Sequence, residues 1–217
     1  MNLPEVVSRD AWDAARKTLL LKEKEMTHAR DALNAERRRL PMVRIEKDYV
    51  FQGAGGTVTL SDLFEGRRQL IVYHMMWVKC PGCSLLVDNI GHLAHLHARD
   101  TTLVVVSRAP WPELKAFKER MGWTVPFFSS HGGDFNYDFH VSVGEGIEGE
   151  ASGVSVFLRD GKSIFHTYST YDRGTDILNG TLNYLDLTPF GRQEDWEEPR
   201  GRSNSSASGW WELHDDY

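Results

Sequence analysis

Two apolar runs limit what this chain can fold into. QLIVYHMM at 69–76 and TTLVVVS at 101–107 hold no acidic residue, no lysine and no arginine, and show no helical period. Runs of that kind form strands buried on both faces, as in parallel sheets. Between them, CSLLVDNIGHLAHLHARD sets Leu86, Ile90, Leu93 and Leu96 at helical spacing. Strand, helix and second buried strand form a β-α-β unit. The pattern then repeats: WPELKAFKERMG reads as a helix, with Pro112 in its first turn and Gly122 past its end, and TVPFF as a third strand.

The flanking segments fill in the rest. YVFQGAGGTVTL reads as a hairpin around a Gly-rich turn. GVSVFLRDGKSIFHTYS reads as a second hairpin, turned by Asp160-Gly161, and TDILNGTLNYLDL as a last helix capped by Thr175. The order is hairpin, β-α-β-α-β, hairpin, α. It predicts an α/β fold: a central mixed sheet with parallel strands in the middle and an antiparallel pair at one side. Ahead of this, residues 8–39 read as one long helix, capped by Ser8 and stopped by Pro41. Trp12, Leu19, Met26 and Leu33 recur at every seventh position along it. That seam suits packing on the main domain or on a second copy of the chain, a homodimer through the N-terminal helix. Arg37-Arg38-Arg39 reads as a basic helix end opposing the helix dipole. From about Gln193 the sequence turns polar and rich in Ser and Gly before a terminal WWELHDDY, whose aromatics can dock back. The expected organisation is a helical arm over 1–40, a main domain over 41–191, and a partly mobile tail over 192–217.

Composition narrows the function classes. A chain of 217 residues with 41% hydrophobic and 26% charged residues can bury a core without covalent staples. A net charge of −6 disfavours nucleic acid as a partner. The N-terminus lacks the pattern of a signal peptide, and no apolar run is long enough for a membrane span, so a cytoplasmic location is expected. In a reducing compartment the two cysteines, Cys80 and Cys83, are not expected to form a structural disulfide. A Cys-x-x-Cys pair in that setting is redox-active or metal-binding.

The pair lies in WVKCPGCSLL, where a buried strand gives way to a helix. Open α/β sheets place their sites at that carboxyl edge. Backbone N–H groups at a helix start favour a thiolate, and Lys79 adds positive charge beside Cys80. Pro81 and Gly82 let the two sulfurs meet on one helical turn. Cys80 is therefore expected to be the exposed attacking thiol and Cys83 the resolving one. Trp77 is placed to cover the pair, or simply to pack. Arg108, leaving the second strand at the same edge, is placed to stabilise a thiolate or hold an anion, or to sit as a surface arginine. Soft ligands for Cu(I) are present in His74, Met75 and Met76, but strand alternation splits them between two faces of a core strand. Zinc lacks two further ligands at recognisable spacing, and His92, His95 and His97 spread over different faces of a helix. Neither metal nor cofactor is expected.

The strand–Trp–Cys-Pro-Gly-Cys–helix arrangement resembles the thioredoxin superfamily. The leading hairpin and VVVSRAPWPELKAFKERMGWTVPFFSSHGGDFNYDF resemble its peroxiredoxin branch. EKDYVF, RMGWTVPFFSSHGGDFNYDF, VFLRDG and FHTYSTYDRG, following AERRRLP, are similar to a bacterial thioredoxin-like family of unknown function, over almost the whole chain. The resemblance implies a three-layer thioredoxin-like fold. It also implies thiol–disulfide oxidoreductase chemistry or, alternatively, hydroperoxide reduction, with a disulfide or peroxide substrate and a thiol reductant. Two departures stand out. Where thioredoxins carry a cis-proline facing the cysteines, this chain has Gly153 or Val154. Where peroxiredoxins carry a proline and a Thr or Ser before the reactive cysteine, this chain has HMMWVKC. A thioredoxin-fold binding protein that merely retains the cysteines stands as a further alternative.

Overall fold

The computed structural model describes residues 3–143, 149–201, 203 and 205–217. The chain divides into two compact units, Met1–Pro41 and Met42–Tyr217. In the first, helix α1 (Arg9–Arg37) starts where the Ser8 hydroxyl accepts the Ala11 N–H at 3.2 Å. Asp10 in its first turn and Arg37 in its last complement the helix dipole. The helix runs 29 residues, about 44 Å, and ends two residues short of the expected limit, with Arg38 as its cap.

The second unit is built on one eight-stranded mixed sheet. From edge to edge its strands are β1 (Val43–Arg44), β8 (Ser163–Tyr171), β7 (Gly153–Asp160), β4 (Gln69–His74), β5 (Thr101–Ser107), β6 (Phe127–Ser129), β2 (Val50–Gly53) and β3 (Gly56–Thr59). β4, β5 and β6 are parallel, and every other pairing is antiparallel. Antiparallel strands thus flank both sides rather than one, because the first hairpin joins β6 through Gln52 and Ser129. The turn between β7 and β8 is Gly161-Lys162, one residue later than expected, since Asp160 still pairs with Ser163 and Gly161 takes the positive φ of 59°.

Helices α2 (Pro81–Asp88), α3 (Ala94–His97), α4 (Trp111–Arg120), α5 (Phe135–Asp138) and α6 (Gly180–Leu185) complete the unit. The single helix expected over 83–100 is two. The Asn89 side chain donates to the Leu85 carbonyl at 2.7 Å and accepts the Thr181 N–H at 2.8 Å, which ends α2 and ties it to α6, and Gly91 follows with its low helix propensity. The last helix starts later than expected. Asn179, not Thr175, caps it by accepting the Leu182 N–H at 3.2 Å, and Thr175 lies in a 3₁₀ turn, Asp172–Leu178.

Alternation along the central strands creates two cores. Leu70 and Val72 of β4, with Val104 and Val106 of β5, face Phe51, Phe64, Phe135 and Phe157 on one side of the sheet. Tyr73 and Met75, with Val105, face Cys80, Cys83, Leu86, Leu114 and Phe117 on the other. The C-terminal stretch belongs to this unit. Leu213 is buried in the second core, the Arg192 guanidinium bonds Asp186 and Asp176, and Glu194 accepts from Ser208, Trp196 and Trp210. Arg202 and Asn204 of the polar stretch lie outside the described residues. No described helix is long and apolar enough to cross a membrane.

Candidate active site

β4 ends at His74, and a short loop carries the chain to α2. Lys79 makes the last bend with a left-handed backbone (φ 66°) and an exposed side chain. Cys80 is then the N-cap of α2 and Pro81 its first residue, where the missing N–H costs nothing. The Cys83 N–H donates to Cys80 Sγ at 3.4 Å, and the Met76 N–H donates to Cys83 Sγ at 3.4 Å. The Ser84 hydroxyl fixes the Cys80 carbonyl at 2.8 Å. Both thiols are free.

The two thiols are driven apart in acidity. The Cys83 thiol, hydrogen-bonded to Cys80, pulls the Cys80 pKa below the ordinary thiol value; the backbone N–H groups of Cys83 and Gly82 add to this, while burial opposes it. Burial pushes Cys83 well above the ordinary value, as do its hydrogen bond to Cys80 and the Cys80 charge, with Tyr73 and the Met76 N–H offsetting part of the rise. Of the two thiols, Cys80 is thus the more acidic and Cys83 the less.

Cys80 is not the exposed helix-tip residue that the sequence led one to expect: it is only 3% accessible. The C-terminal segment accounts for this part of the surface. Leu213 packs into the cluster that holds both cysteines. Trp211 lies against Gly82, so closely that a Cβ on Gly82 would come within 2.8 Å of two ring carbons. Trp77 is half-buried on the rim of the same cluster. Together with Met76, Val78, Arg108 and His131 it also lines a cleft of about 310 Å³.

Arg108 is engaged. Its guanidinium pairs with Glu150, whose side chain is 5% exposed, and stacks over Tyr137 at 4.5 Å. Glu150 also accepts the Ser142 hydroxyl at 2.9 and 2.8 Å. Glu150→Gln removes the charge that Arg108 neutralises and is expected to lower unfolding free energy by about 2 kcal/mol, below the fully buried limit because Arg108 keeps some solvent. A denaturant melt checks this, and an unchanged midpoint would show the pair to be idle.

Gly153 opens β7, pairs with His74 on one side and Tyr171 on the other, and is buried. The Tyr171 ring fills the space of the absent side chain, with Cδ1 at 2.6 Å from the site of a Cβ. The sequence reading had missed Tyr73 as the neighbour of Cys83, although alternation on β4 puts it on the cysteine face with Met75. It had also missed Glu150, for which the sequence carries no signal. Among the described residues no group of three or more His, Cys, Asp or Glu is arranged to hold a metal ion.

A mixed sheet between two helical layers, with a dithiol at the junction of its central strand and the next helix, defines a thioredoxin-like protein. The chain resembles the crystal structure of peroxidoxin BcpB from Mycobacterium tuberculosis, with a TM-score of 0.50 and 19% identity over 67% of this chain and 97% of that one. It also resembles a mutant of PrxQ from Xylella fastidiosa, with a TM-score of 0.47 and 17% identity over 63% and 88% of the two chains. The chain belongs to the family described as bacterial protein of unknown function (DUF899), whose profile matches residues 1–217. No curated protein matches it.

Proposed function

We propose that the protein is a dithiol–disulfide redox enzyme in which Cys80 attacks an oxidant and Cys83 resolves the product. The observation that carries this reading is the pair of free thiols on one helical turn, with Cys80 capping α2 and accepting the Cys83 N–H at 3.4 Å, a geometry that lowers the Cys80 pKa while burial raises that of Cys83. The Cys80 thiolate attacks a disulfide or hydroperoxide, and Cys83 then displaces the bound fragment to close the Cys80–Cys83 disulfide. A thiol reductant reopens it, and a reducing cytoplasm supplies such a donor. No cofactor takes part in this cycle. Hydroperoxide reduction is the second reading, favoured by the burial of Cys80, which admits a small O–O bond more readily than the disulfide of a folded protein. The seven-residue seam of α1 offers a face for a second copy of the chain.

The test is the rate of Cys80 alkylation against pH, with mass spectrometry of the adduct. A lowered pKa means that the rate should reach half its plateau below the ordinary thiol value of about 8.5. A midpoint at or above that value, with no reversible Cys80–Cys83 disulfide, would leave a non-catalytic binding protein as the better reading.

A further inference from the structure

Cys80 sits at the tip of a helix, a place that normally leaves a thiol open, yet it is buried. The C-terminal segment lies over the motif. Among the described residues, the only atoms within 4 Å of a Cβ on Gly82, one of the two residues between the thiols, are Cε3 and Cζ3 of Trp211. Two residues on, Leu213 is 4% exposed within the cysteine cluster. The segment is tied down from both ends. Before it, Trp210 Nε1 donates to Glu194 at 3.0 Å. After it, His214 meets Asp88 at 2.8 Å, and Arg120 bonds Asp215 at 2.8 and 3.0 Å and Asp216 at 3.0 Å. Asp88 and Arg120 are on α2 and α4, the helices that frame the site, and Glu194 lies in the C-terminal stretch itself. The Trp211 ring makes no hydrogen bond among the described residues: its indole N–H is buried without a partner, while its backbone N–H donates to the Ser208 carbonyl at 3.2 Å. A buried donor left unpaired costs free energy, so packing rather than hydrogen bonding holds the ring in place.

Beside the strap lies a cavity of about 220 Å³, bounded by Trp211 and Gly82 and floored by Tyr73, Met76, Leu86 and Leu182. The Met76 N–H donates to Cys83 Sγ at 3.4 Å, and Tyr73 and Leu86 share a core cluster with both cysteines, so the dithiol lies directly behind the floor of this cavity. Its rim is polar, with Asp172, Arg173 and Asp176.

We infer that Trp211 restricts the Cys80–Cys83 pair to small oxidants that enter through this cavity, and that it is the residue setting this size limit. The inference rests on the redox reading above and narrows its substrate class to a small molecule with a labile O–O or S–S bond. With a hydroperoxide, the Cys80 thiolate takes the terminal oxygen, the O–O bond breaks, and the alkoxide takes a proton and leaves as the alcohol. The Cys83 thiol gives up its proton, and its sulfur displaces hydroxide from the resulting sulfenic acid, releasing water and closing the disulfide. With a small disulfide, the S–S bond breaks instead, and two thiols leave in succession. In both cases the substrate is reduced by two electrons and the dithiol is oxidised, and an external thiol reductant restores it.

The experiment compares a small alkylating agent, iodoacetamide, with a bulky one, a polyethylene-glycol maleimide, on the reduced full-length protein, in wild type, Trp211→Phe, Trp211→Ala and Gly82→Ala. Circular dichroism and thermal melts establish that each variant is folded. The expected result is that Trp211→Ala speeds modification of Cys80 by the bulky reagent by about tenfold or more relative to the small one, as removal of a local closed state requires. Trp211→Phe should keep most of the wild-type discrimination. Gly82→Ala, which forces the ring away while leaving it intact, should lose discrimination as Trp211→Ala does. Equal discrimination in all four proteins overturns the proposal, and so does bulky-reagent access to the wild type as fast as to Trp211→Ala. Alkylation needs only a thiol, so this outcome is independent of whether the disulfide cycles. Stopped-flow oxidation with tert-butyl hydroperoxide and with cystine then separates the two small oxidants, and a wild type oxidised faster by a folded protein disulfide than by either would also overturn the proposal.

Discussion

Cys80→Ser should lower turnover with any oxidant by about a thousandfold or more, whereas Cys83→Ser should keep the first chemical step and stop there. A serine hydroxyl has no accessible anion near neutral pH, and the features that lower the Cys80 pKa cannot bridge that gap. Those features are a thiol hydrogen bond from Cys83 and the N–H groups at the start of α2. Loss of Cys83 removes two things at once. It removes the resolving sulfur, so a mixed disulfide through Cys80 accumulates and is visible as an intact mass. It also removes the first cause of the lowered pKa where the replacement carries no donor, so the alkylation midpoint of Cys80 should rise in Cys83→Ala. A mixed disulfide trapped at Cys83 in Cys80→Ser would reverse the assignment. A midpoint for Cys83→Ala equal to that of the wild type would place the thiolate stabilisation in the helix start alone. These variants together separate the nucleophile from its tuning, which none does alone.

The order of elements was legible because the central strands are buried on both faces. QLIVYH and TTLVVVS admit no amphipathic helix, and they became β4 and β5. Elements whose limits depend on distant partners were less legible. The break between α2 and α3 follows from Asn89 reaching Thr181, 92 residues away. No local pattern encodes that contact. The start of α6 was misplaced because Thr175 and Asn179 are both good caps, and only the fold decides between them. The same holds at the site. The position of Cys80 and Cys83 could be read from the strand–helix junction, since local geometry sets it. The burial of Cys80 could not, because it depends on a segment about 130 residues further on, whose aromatics were expected to dock back but whose docking place no local pattern encodes. Arg108 illustrates the limit differently: its place at the sheet edge was readable, but Glu150 had no pattern to announce it, so its charge looked available when it is neutralised.

Stability should fall steeply as pH drops below about 6.5, and His74 should be one cause. Its side chain is fully buried at the end of β4, stacked near Phe135 and Phe139 with ring centroids at 5.6 and 6.3 Å. Its Nε2 lies 2.8 Å from Ser155 Oγ, which lies 2.8 Å from Ser169 Oγ, itself 2.8 Å from His166 Nε2. Its Nδ1 is buried with no partner, an arrangement that suits a neutral ring donating through Nε2 and penalises a second proton. Burial first, and then the charge of His166, push the His74 pKa down to about 3. An unfolded histidine titrates near 6.5, so between the two values the unfolded chain binds a proton that the native chain refuses. Nothing is lost above pH 6.5. Below it the native state loses about 1.4 kcal/mol per pH unit, or about 3 kcal/mol by pH 4.5, against a total stability of roughly 5–15 kcal/mol. His74→Gln keeps an amide donor toward Ser155 and cannot titrate. It should be less stable than wild type at pH 7 from altered packing, yet lose about 3 kcal/mol less between pH 7 and pH 4.5. The lowered carboxylates Asp62, Asp100, Asp138, Asp215 and Glu198, and the lowered His166, contribute to acid loss in both proteins, so the difference between the two pH slopes isolates His74. Urea titrations at the two pH values measure it. Parallel slopes would mean that His74 accepts its proton in the folded protein, which would require a partner for Nδ1 inside the core.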